Sequence, residues 1–156
     1  MKLFATLLLA SALLTVAPAT IAPAVQSEAS VAGVGEGVFP DGASFNGVPL
    51  TGSTFGTGVL ISADGSAVGE FQTVLAGSTL LGPQGISVVG NVTAGSLNAD
   101  GSATFSGTAT VDMGDGLPPA DGIPFSVTAS PSGLQLVLAT TTLPTQTLDA
   151  GTITIE

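Results

Sequence analysis

The stretch Ser102–Met113, SATFSGTATVDM, alternates in polarity along its whole length. Small or apolar residues hold every second position from Ala103 to Met113, and serine, threonine or aspartate hold the positions between them. Successive side chains of a β-strand point to opposite faces of the sheet, so the pattern predicts a strand with one buried and one solvated face. Phe105 is predicted to anchor the buried face, where its burial stabilises the fold by roughly 2–3 kcal/mol.

The same two-residue period recurs on both sides of this stretch, and no convincing helical period appears after residue 37. Glycine-containing turn signals separate the alternating segments. We therefore predict one all-β domain over residues 38–156, an antiparallel β-sandwich with a small β-barrel as the alternative. The further predicted strands lie within residues 59–61, 68–75, 86–94, 123–129, 134–139 and 152–156.

The turns are marked by Asp-Gly dipeptides, which occur five times, and by Asn46-Gly47. Asp, Asn and Gly accept positive φ, which a two-residue hairpin turn of mirror-image type requires. The pentapeptide Ala-Asp-Gly-Ser-Ala occurs at residues 63–67 and again at 99–103, and predicts two equivalent hairpin tips. The Asp-Gly turns are predicted at residues 41–42, 64–65, 100–101, 115–116 and 121–122.

The first residues have the layout of a secretory signal peptide. Lys2 precedes an uncharged apolar run over residues 3–17, and small residues and prolines follow it. We predict a signal-peptide helix over residues 1–24, with cleavage after Ala19, Ala24 or Ala29 and Ala24 favoured, and a flexible stretch over residues 25–37. The run is shorter than the roughly 20 residues that a transmembrane helix needs. The protein is expected to be secreted, either to the periplasm or to the outside.

The charge composition excludes several functions. The chain has one basic residue, eleven acidic residues and a net charge of −10, and cleavage would remove Lys2. Nucleic-acid binding and attraction to anionic membranes both depend on Lys and Arg, so neither partner is expected. The chain has no His and no Cys, which excludes Ser-His-Asp and Cys-His catalysis and the usual zinc sites.

With these side chains absent, the residues that remain for catalysis or metal binding are the carboxylates. Asp112, Asp115 and Asp121 lie close together in sequence and form a candidate Ca²⁺ site, although ordinary turn aspartates explain the same pattern. Glu70, beside Phe71, is the most suggestive acid for glycoside hydrolysis, but the chain has no Trp or Tyr on which a sugar ring could stack. We therefore expect no enzymatic activity and no cofactor other than Ca²⁺.

The C-terminal third also carries a resemblance. Its segments are ATFSG at residues 103–107, GDG at 114–116, PFSV at 124–127 and LDAGTITI at 148–155. With these segments, residues 101–156 resemble the C-terminal half of small, uncharacterised secreted bacterial β-domains. The resemblance implies a β fold on an exported protein and no particular activity.

These observations favour a non-enzymatic structural or interaction domain of the cell surface or extracellular matrix. Edge strands rich in Thr and Ala and poor in charge favour self-association, and a surface protein or polysaccharide is the other expected partner. The alternative function is binding of Ca²⁺ or of a small apolar ligand between sheets. A filled core favours the first function, and a continuous inner pocket favours the second. That pocket would be lined by Phe45, Phe55, Phe71, Phe105 and Phe125.

Overall fold

The computed structural model describes residues 29–156, which fold into antiparallel β-strands without a helix. The predicted all-β, antiparallel class is confirmed. The predicted signal-peptide helix over 1–24, with its cleavage sites after Ala19 and Ala24, lies outside the described residues. Within residues 29–156 no helix is long and apolar enough to cross a membrane.

Ten strands make up the fold, and two of them contain only two residues each. The strands are β1 (Ala29–Val38), β2 (Ser44–Phe45), β3 (Val48–Ile61), β4 (Ser66–Thr79), β5 (Gly82–Leu97), β6 (Ala103–Asp112), β7 (Ala120–Ser130), β8 (Gly133–Leu138), β9 (Thr141–Thr142) and β10 (Gln146–Ile155).

The strands form one sheet that closes on itself. The pairing runs in the order β1-β10-β8-β7-β6-β5-β4-β3, and β1 also pairs with β3, which completes the circuit. The short strands β2 and β9 pair with β3 and β8. The seam between β8 and β10 is short, because only two residue pairs join these strands and β9 adds two more to β8. Both predicted architectures, the sandwich and the barrel, have antiparallel strands around one core. In the structure a single sheet surrounds that core without a break in its strand order.

The first strand corrects one predicted boundary. Residues 25–37 were predicted to be a flexible stretch outside the domain, yet residues 29–38 form β1, which pairs along its length with both β3 and β10. The alternation is present in β1, where Val31 is buried and Val34 is exposed. Glycines hold the three inward positions after Val31, however, so the apolar face carries few side chains and the period is hard to recognise in the sequence.

The core lies inside the closed sheet, and β6 follows the predicted alternation. Phe105 has no exposed surface, and its inward neighbours Ala103 and Ala109 are also buried. The ring of Phe71 lies 6.1 Å from that of Phe105 and 6.0 Å from that of Phe125, centroid to centroid. These distances are within the range of favourable aromatic pairs. Aromatic rings from β4, β6 and β7 therefore fill the middle of the core.

All but one of the predicted turns lie between strands, but most are of a different type. Asn46 and Gly47 both have positive φ and join β2 to β3 as the predicted two-residue turn of mirror-image type. At Asp64 only the following glycine has positive φ, and Gly65 N–H donates to Ser62 O at 3.0 Å. This is a three-residue loop, in which a type I turn is followed by a left-handed glycine.

The second copy of the pentapeptide has the same geometry. Gly101 N–H donates to Asn98 O at 3.0 Å, and Gly101 has the same φ of 83° as its counterpart in the first copy. The predicted equivalence of the two hairpin tips is thus confirmed. The dipeptide Asp121-Gly122 is not a hairpin turn. It lies inside β7, at a register shift opposite Thr110, and is a β-bulge.

Candidate functional site

An apolar cleft opens at one end of the closed sheet. We call this end the loop end, because residues 39–47, 80–81, 113–119 and 139–145 connect strands there. The cleft has a volume of about 290 Å³, and no charged side chain lines it. Its lining comes from four separate parts of the chain. The lining residues are Phe45, Asn46, Val111, Met113, Ala120, Ile123, Leu138, Ala139, Thr140 and Thr141.

Two residues of this lining have an uncommon backbone conformation. In the described part of the chain, Asn46 (φ 48°) and Ala139 (φ 51°) are the only non-glycine residues with positive φ. Asn accepts this region readily, whereas Ala does so at a cost of about 1 kcal/mol. The Ala139 N–H donates to Pro124 O at 2.8 Å, and Asn46 Nδ2 lies 3.9 Å from Met113 Sδ. These contacts hold two sides of the cleft in place.

The cleft differs from the inner pocket that the sequence predicted. Of the five phenylalanines named for that pocket, only Phe45 lines the cleft. All five are buried, and three of them pack against one another in the core. The nearest sequence signal for the cleft would have been the positive-φ Asn46-Gly47 turn. The other walls are brought together only by the tertiary fold.

A second feature of the loop end is an exposed apolar hairpin tip. Leu80 and Leu81 connect β4 to β5, and both side chains are fully exposed. Gln84 Nε2 donates to Met113 O at 2.6 Å, which ties the base of this hairpin to the loop over residues 113–119. That loop carries Leu117, which is also exposed. The loop end therefore presents exposed leucines beside the cleft.

The opposite end of the sheet contains an open strand edge. On its β8 side, β10 pairs only through Gln146 and Thr147, with one further bond from Leu148 N–H to Ser132 O. From Asp149 to Ile155, β10 has ladder partners among residues 29–156 on its β1 side alone. An unpaired row of backbone groups of this kind is where another strand can add.

The hydrogen bonds between β1 and β10 show which backbone groups of β10 point towards the open side. Ser30 and Glu156 exchange both of their backbone hydrogen bonds, at 2.8 and 3.0 Å. Bonded pairs alternate along an antiparallel ladder, so β10 turns the N–H and C=O groups of every second residue towards β1. The groups of Gly151, Ile153 and Ile155 consequently point away from β1, towards the open side. We call the segment Asp149–Ile155 the open edge.

The predicted Ca²⁺ ligands are each engaged locally. Asp112 Oδ1 accepts a bond from Gly114 N–H at 2.9 Å, and Asp115 Oδ1 accepts one from Leu117 N–H at 3.0 Å. Asp121 Oδ1 accepts a bond from Thr110 Oγ1 at 2.6 Å. Among residues 29–156, no group of three acidic, His or Cys side chains is placed to hold a metal ion. Ca²⁺ binding by Asp112, Asp115 and Asp121 stays a prediction.

The two copies of the repeated pentapeptide each lower the pKa of their own carboxylate. Ser66 donates to Asp64 Oδ1 through its hydroxyl at 2.6 Å and its backbone N–H at 2.9 Å, and these bonds lower the pKa of Asp64. Ser102 does the same at Asp100, at 2.7 and 3.0 Å, and lowers the pKa of Asp100. Both carboxylates are fully exposed, so the bonds organise the turns and do not form a reactive centre.

Glu70 lies on the solvent face of β4. Its cross-strand neighbours are Gly58 and Asn91, so no second carboxylate stands directly opposite it. Hydrolysis of a glycoside needs two carboxyl groups on either side of the scissile bond. The surroundings of Glu70 give no support for that chemistry.

No protein-family model, no curated protein and no solved structure matches this chain. Functional conclusions therefore rest on the cleft, the exposed tip and the open edge.

Proposed function

We propose that this chain is an exported, non-enzymatic interaction domain that associates with a second copy of itself through the open edge. The observation that carries the proposal is the one-sided pairing of β10 over Asp149–Ile155 in a sheet that is otherwise closed. Addition of a strand would satisfy the free backbone groups of Gly151, Ile153 and Ile155. The apolar run after Lys2 supports export, and the absence of His and Cys from the sequence supports the lack of catalysis.

A two-fold axis through Thr152 gives the simplest pairing. Two β10 strands would then run antiparallel, with Gly151 of one copy opposite Ile153 of the other. Thr152 would face its own copy, and Thr–Thr pairs are favourable across strands. Asp149 would lie opposite Ile155, so the aspartates of the two copies would be far apart. This register therefore avoids a direct clash of like charges.

Net charge opposes this association at long range. The described residues carry acidic side chains and no basic one, so two copies repel each other. Salt screens this repulsion over a distance of about 8–10 Å at physiological ionic strength. Self-association should accordingly strengthen as salt is raised, which is the reverse of what an interface held by ion pairs does.

Sedimentation velocity of the purified protein tests the proposal. We expect a concentration-dependent dimer that is favoured by added salt. Thr152→Lys should abolish the dimer by placing like charges opposite each other, whereas Thr108→Lys should leave it intact. Thr108 is also exposed, but it lies on β6, which is paired on both sides. A strict monomer at all concentrations, or equal effects of the two substitutions, would contradict the proposal.

Disulfide cross-linking provides an independent measurement, because the chain has no cysteine of its own. Thr152→Cys should form a cross-linked dimer on mild oxidation, since directly opposed residues in a strand pair lie within disulfide range. Thr108→Cys should not. If the protein is monomeric but captures another surface protein or a polysaccharide through β10, the partner is not a second copy and this part of the proposal is wrong.

Export has its own test. N-terminal sequencing of the protein recovered from the host's extracytoplasmic fraction should begin after Ala19, Ala24 or Ala29. Recovery of a product that still contains Lys2 would contradict export by cleavage.

A further inference from the structure

We propose that the apolar cleft at the loop end binds a small, uncharged, apolar molecule of two to three rings or equivalent bulk. The site is separate from the open edge, which lies at the other end of the sheet. Its walls are the side chains of Phe45, Val111, Met113, Ile123 and Leu138. The inference is therefore independent of self-association.

The size of the cleft sets the size of the ligand. Its volume of about 290 Å³ exceeds the roughly 150 Å³ that accommodates a single benzene ring. It lies at the lower limit of pockets for drug-sized ligands, about 300 Å³. The lining is mainly aliphatic and aromatic, with the Asn46 amide and the hydroxyls of Thr140 and Thr141 as its polar side chains. Such a surface favours a compact apolar body with at most one polar group.

Charge selects against anionic ligands. The cleft has no charged residue in its lining, and the nearby Asp121 lies on the outer face of the sheet, where it accepts a bond from Thr110. No Lys or Arg occurs anywhere in residues 29–156 to compensate a carboxylate or sulfonate. An anion entering the cleft would find no counter-charge there, because every charged side chain in residues 29–156 is acidic. Fatty acids and bile acids are disfavoured for this reason, and an uncharged molecule is preferred.

The backbone at the mouth of the cleft supports a binding role. Asn46 and Ala139 have positive φ, and both line this one cleft. Residues in such conformations persist where the surrounding structure holds them, and they cluster at ligand sites. The bond from Ala139 N–H to Pro124 O and the contact between Asn46 and Met113 hold the two sides in position. The cleft is thereby formed before a ligand arrives.

Two fluorescent probes with the same ring system test the inference. Phenylnaphthylamine is uncharged, and anilinonaphthalene sulfonate carries a negative charge on the same rings. We expect saturable binding of phenylnaphthylamine at one site per chain, with fluorescence enhancement, and about tenfold or more weaker binding of the sulfonate. No saturable binding of the uncharged probe, or equal affinity for both probes, would overturn the inference.

Substitutions locate the probe. Ala120→Phe places a ring in the cleft from an exposed position at the start of β7, and should weaken phenylnaphthylamine binding about tenfold or more. Ala76→Phe introduces the same ring at an exposed position on β4, which is paired on both sides, and should have no effect. Urea unfolding of both variants verifies that they are folded. Unchanged binding by folded Ala120→Phe would place the probe elsewhere and overturn the inference.

Two further variants separate this inference from the other surfaces. Leu80→Ser with Leu81→Ser should retain the probe, which excludes adsorption to the exposed tip. Thr152→Lys should also retain it. Loss of binding in Thr152→Lys alone would mean that the probe sits in the dimer interface, and the cleft assignment would be wrong. If Thr152→Lys loses dimerisation but still binds the probe, the assignment of the ligand site to the cleft is supported.

Discussion

Gly37 on β1 leaves the space that the side chain of Gln146 occupies on β10. A methyl group built on Gly37 would overlap the Gln146 side-chain carbonyl and lie 2.9 Å from its Cδ. Gln146 is only 1% exposed, so its side chain has nowhere to move. Its Oε1 accepts a hydrogen bond from Ser53 on β3. One polar side chain thereby joins three neighbouring strands inside the closed sheet.

Substitution of Gly37 by Ala should destabilise the protein by about 1–3 kcal/mol, because the added methyl group overpacks a site that cannot relax. Gly56→Ala is the matched control, since an added methyl group there meets nothing within 4 Å on the solvent face of β3. Its free energy of unfolding should stay within about 0.5 kcal/mol of the wild type. Urea unfolding of both variants measures the difference, and equal stabilities would contradict the crowding at Gly37.

The Ser53–Gln146 pair should show strong coupling. Ser53→Ala leaves the buried Gln146 Oε1 without its donor and should cost about 1–3 kcal/mol. Within residues 29–156 Gln146 Nε2 already lacks a hydrogen-bond partner. The double variant Ser53→Ala, Gln146→Met removes these polar atoms together and should be more stable than Ser53→Ala alone. A double-mutant cycle in urea measures the coupling, and simple additivity would argue against the bond.

The two pentapeptide turns should give a measurable pH dependence. The bonds from Ser66 lower the pKa of Asp64 below its ordinary value of 3.8. A carboxylate whose pKa is depressed in the folded state stabilises the fold above the unfolded pKa, and that contribution disappears as pH falls through the folded pKa. The stability advantage of the wild type over Asp64→Asn should therefore be present near neutral pH and lost as the pH falls below 3.8 and through the lowered pKa of the folded state.

Asp100→Asn should behave in the same way, because Asp100 makes the same two bonds with Ser102. Asp149→Asn removes one negative charge at an exposed position without such bonds and provides the control for net charge. Thermal unfolding at a series of pH values gives the comparison. A wild-type advantage that grows as the solution is acidified would have the wrong sign.

Because Ala139 has a positive φ, its replacement by glycine should not destabilise the protein as an Ala-to-Gly substitution usually does. Ala139→Gly relieves a conformation that costs Ala about 1 kcal/mol, and this gain offsets the extra entropy of glycine in the unfolded chain. We expect a stability within about 0.5 kcal/mol of the wild type, or slightly above it. Ala76→Gly on β4, where φ is not positive, should cost roughly 0.5–1 kcal/mol. Equal losses in the two variants would contradict the left-handed backbone at Ala139.

The exposed tip should contribute to adhesion and not to stability. Leu80→Ser with Leu81→Ser removes no buried surface, so the unfolding free energy should change by less than about 0.5 kcal/mol. The variant should elute earlier than the wild type from a phenyl resin. Leu136→Ala, in the core, should cost about 2–5 kcal/mol. A large loss of stability in the tip variant would show that these leucines are buried.

Local chemistry explains what the sequence could predict. The alternation in β6 is visible because large and small apolar residues face a core on one side while threonines face water on the other. Four of the five Asp-Gly dipeptides lie where the chain turns between strands, because glycine tolerates the positive φ that turns require. They do not specify loop length, since both two-residue and three-residue hairpins place a glycine in that region.

The features missed from the sequence depend on distant residues. β1 was predicted as flexible because its inward positions include Gly33, Gly35 and Gly37, whose missing side chains hide the period. Those glycines are required by neighbours on β10 that are more than a hundred residues away in sequence. The apolar cleft has the same origin, because its walls come from four parts of the chain. No pattern of neighbouring residues in the sequence indicates the contacts of these glycines with β10 or the assembly of the cleft walls.

The two-pair seam between β8 and β10 has a dynamic consequence. Every other long strand lies between two extended ladders, so neither of its sides opens unless many backbone hydrogen bonds break together. The seam can part by losing a few bonds, so transient opening of the structure should begin there, with fast hydrogen exchange at Leu134 and Gln146 and slow exchange in β4. The interior of the closed sheet should thus first become exposed to water along the seam between β8 and β10.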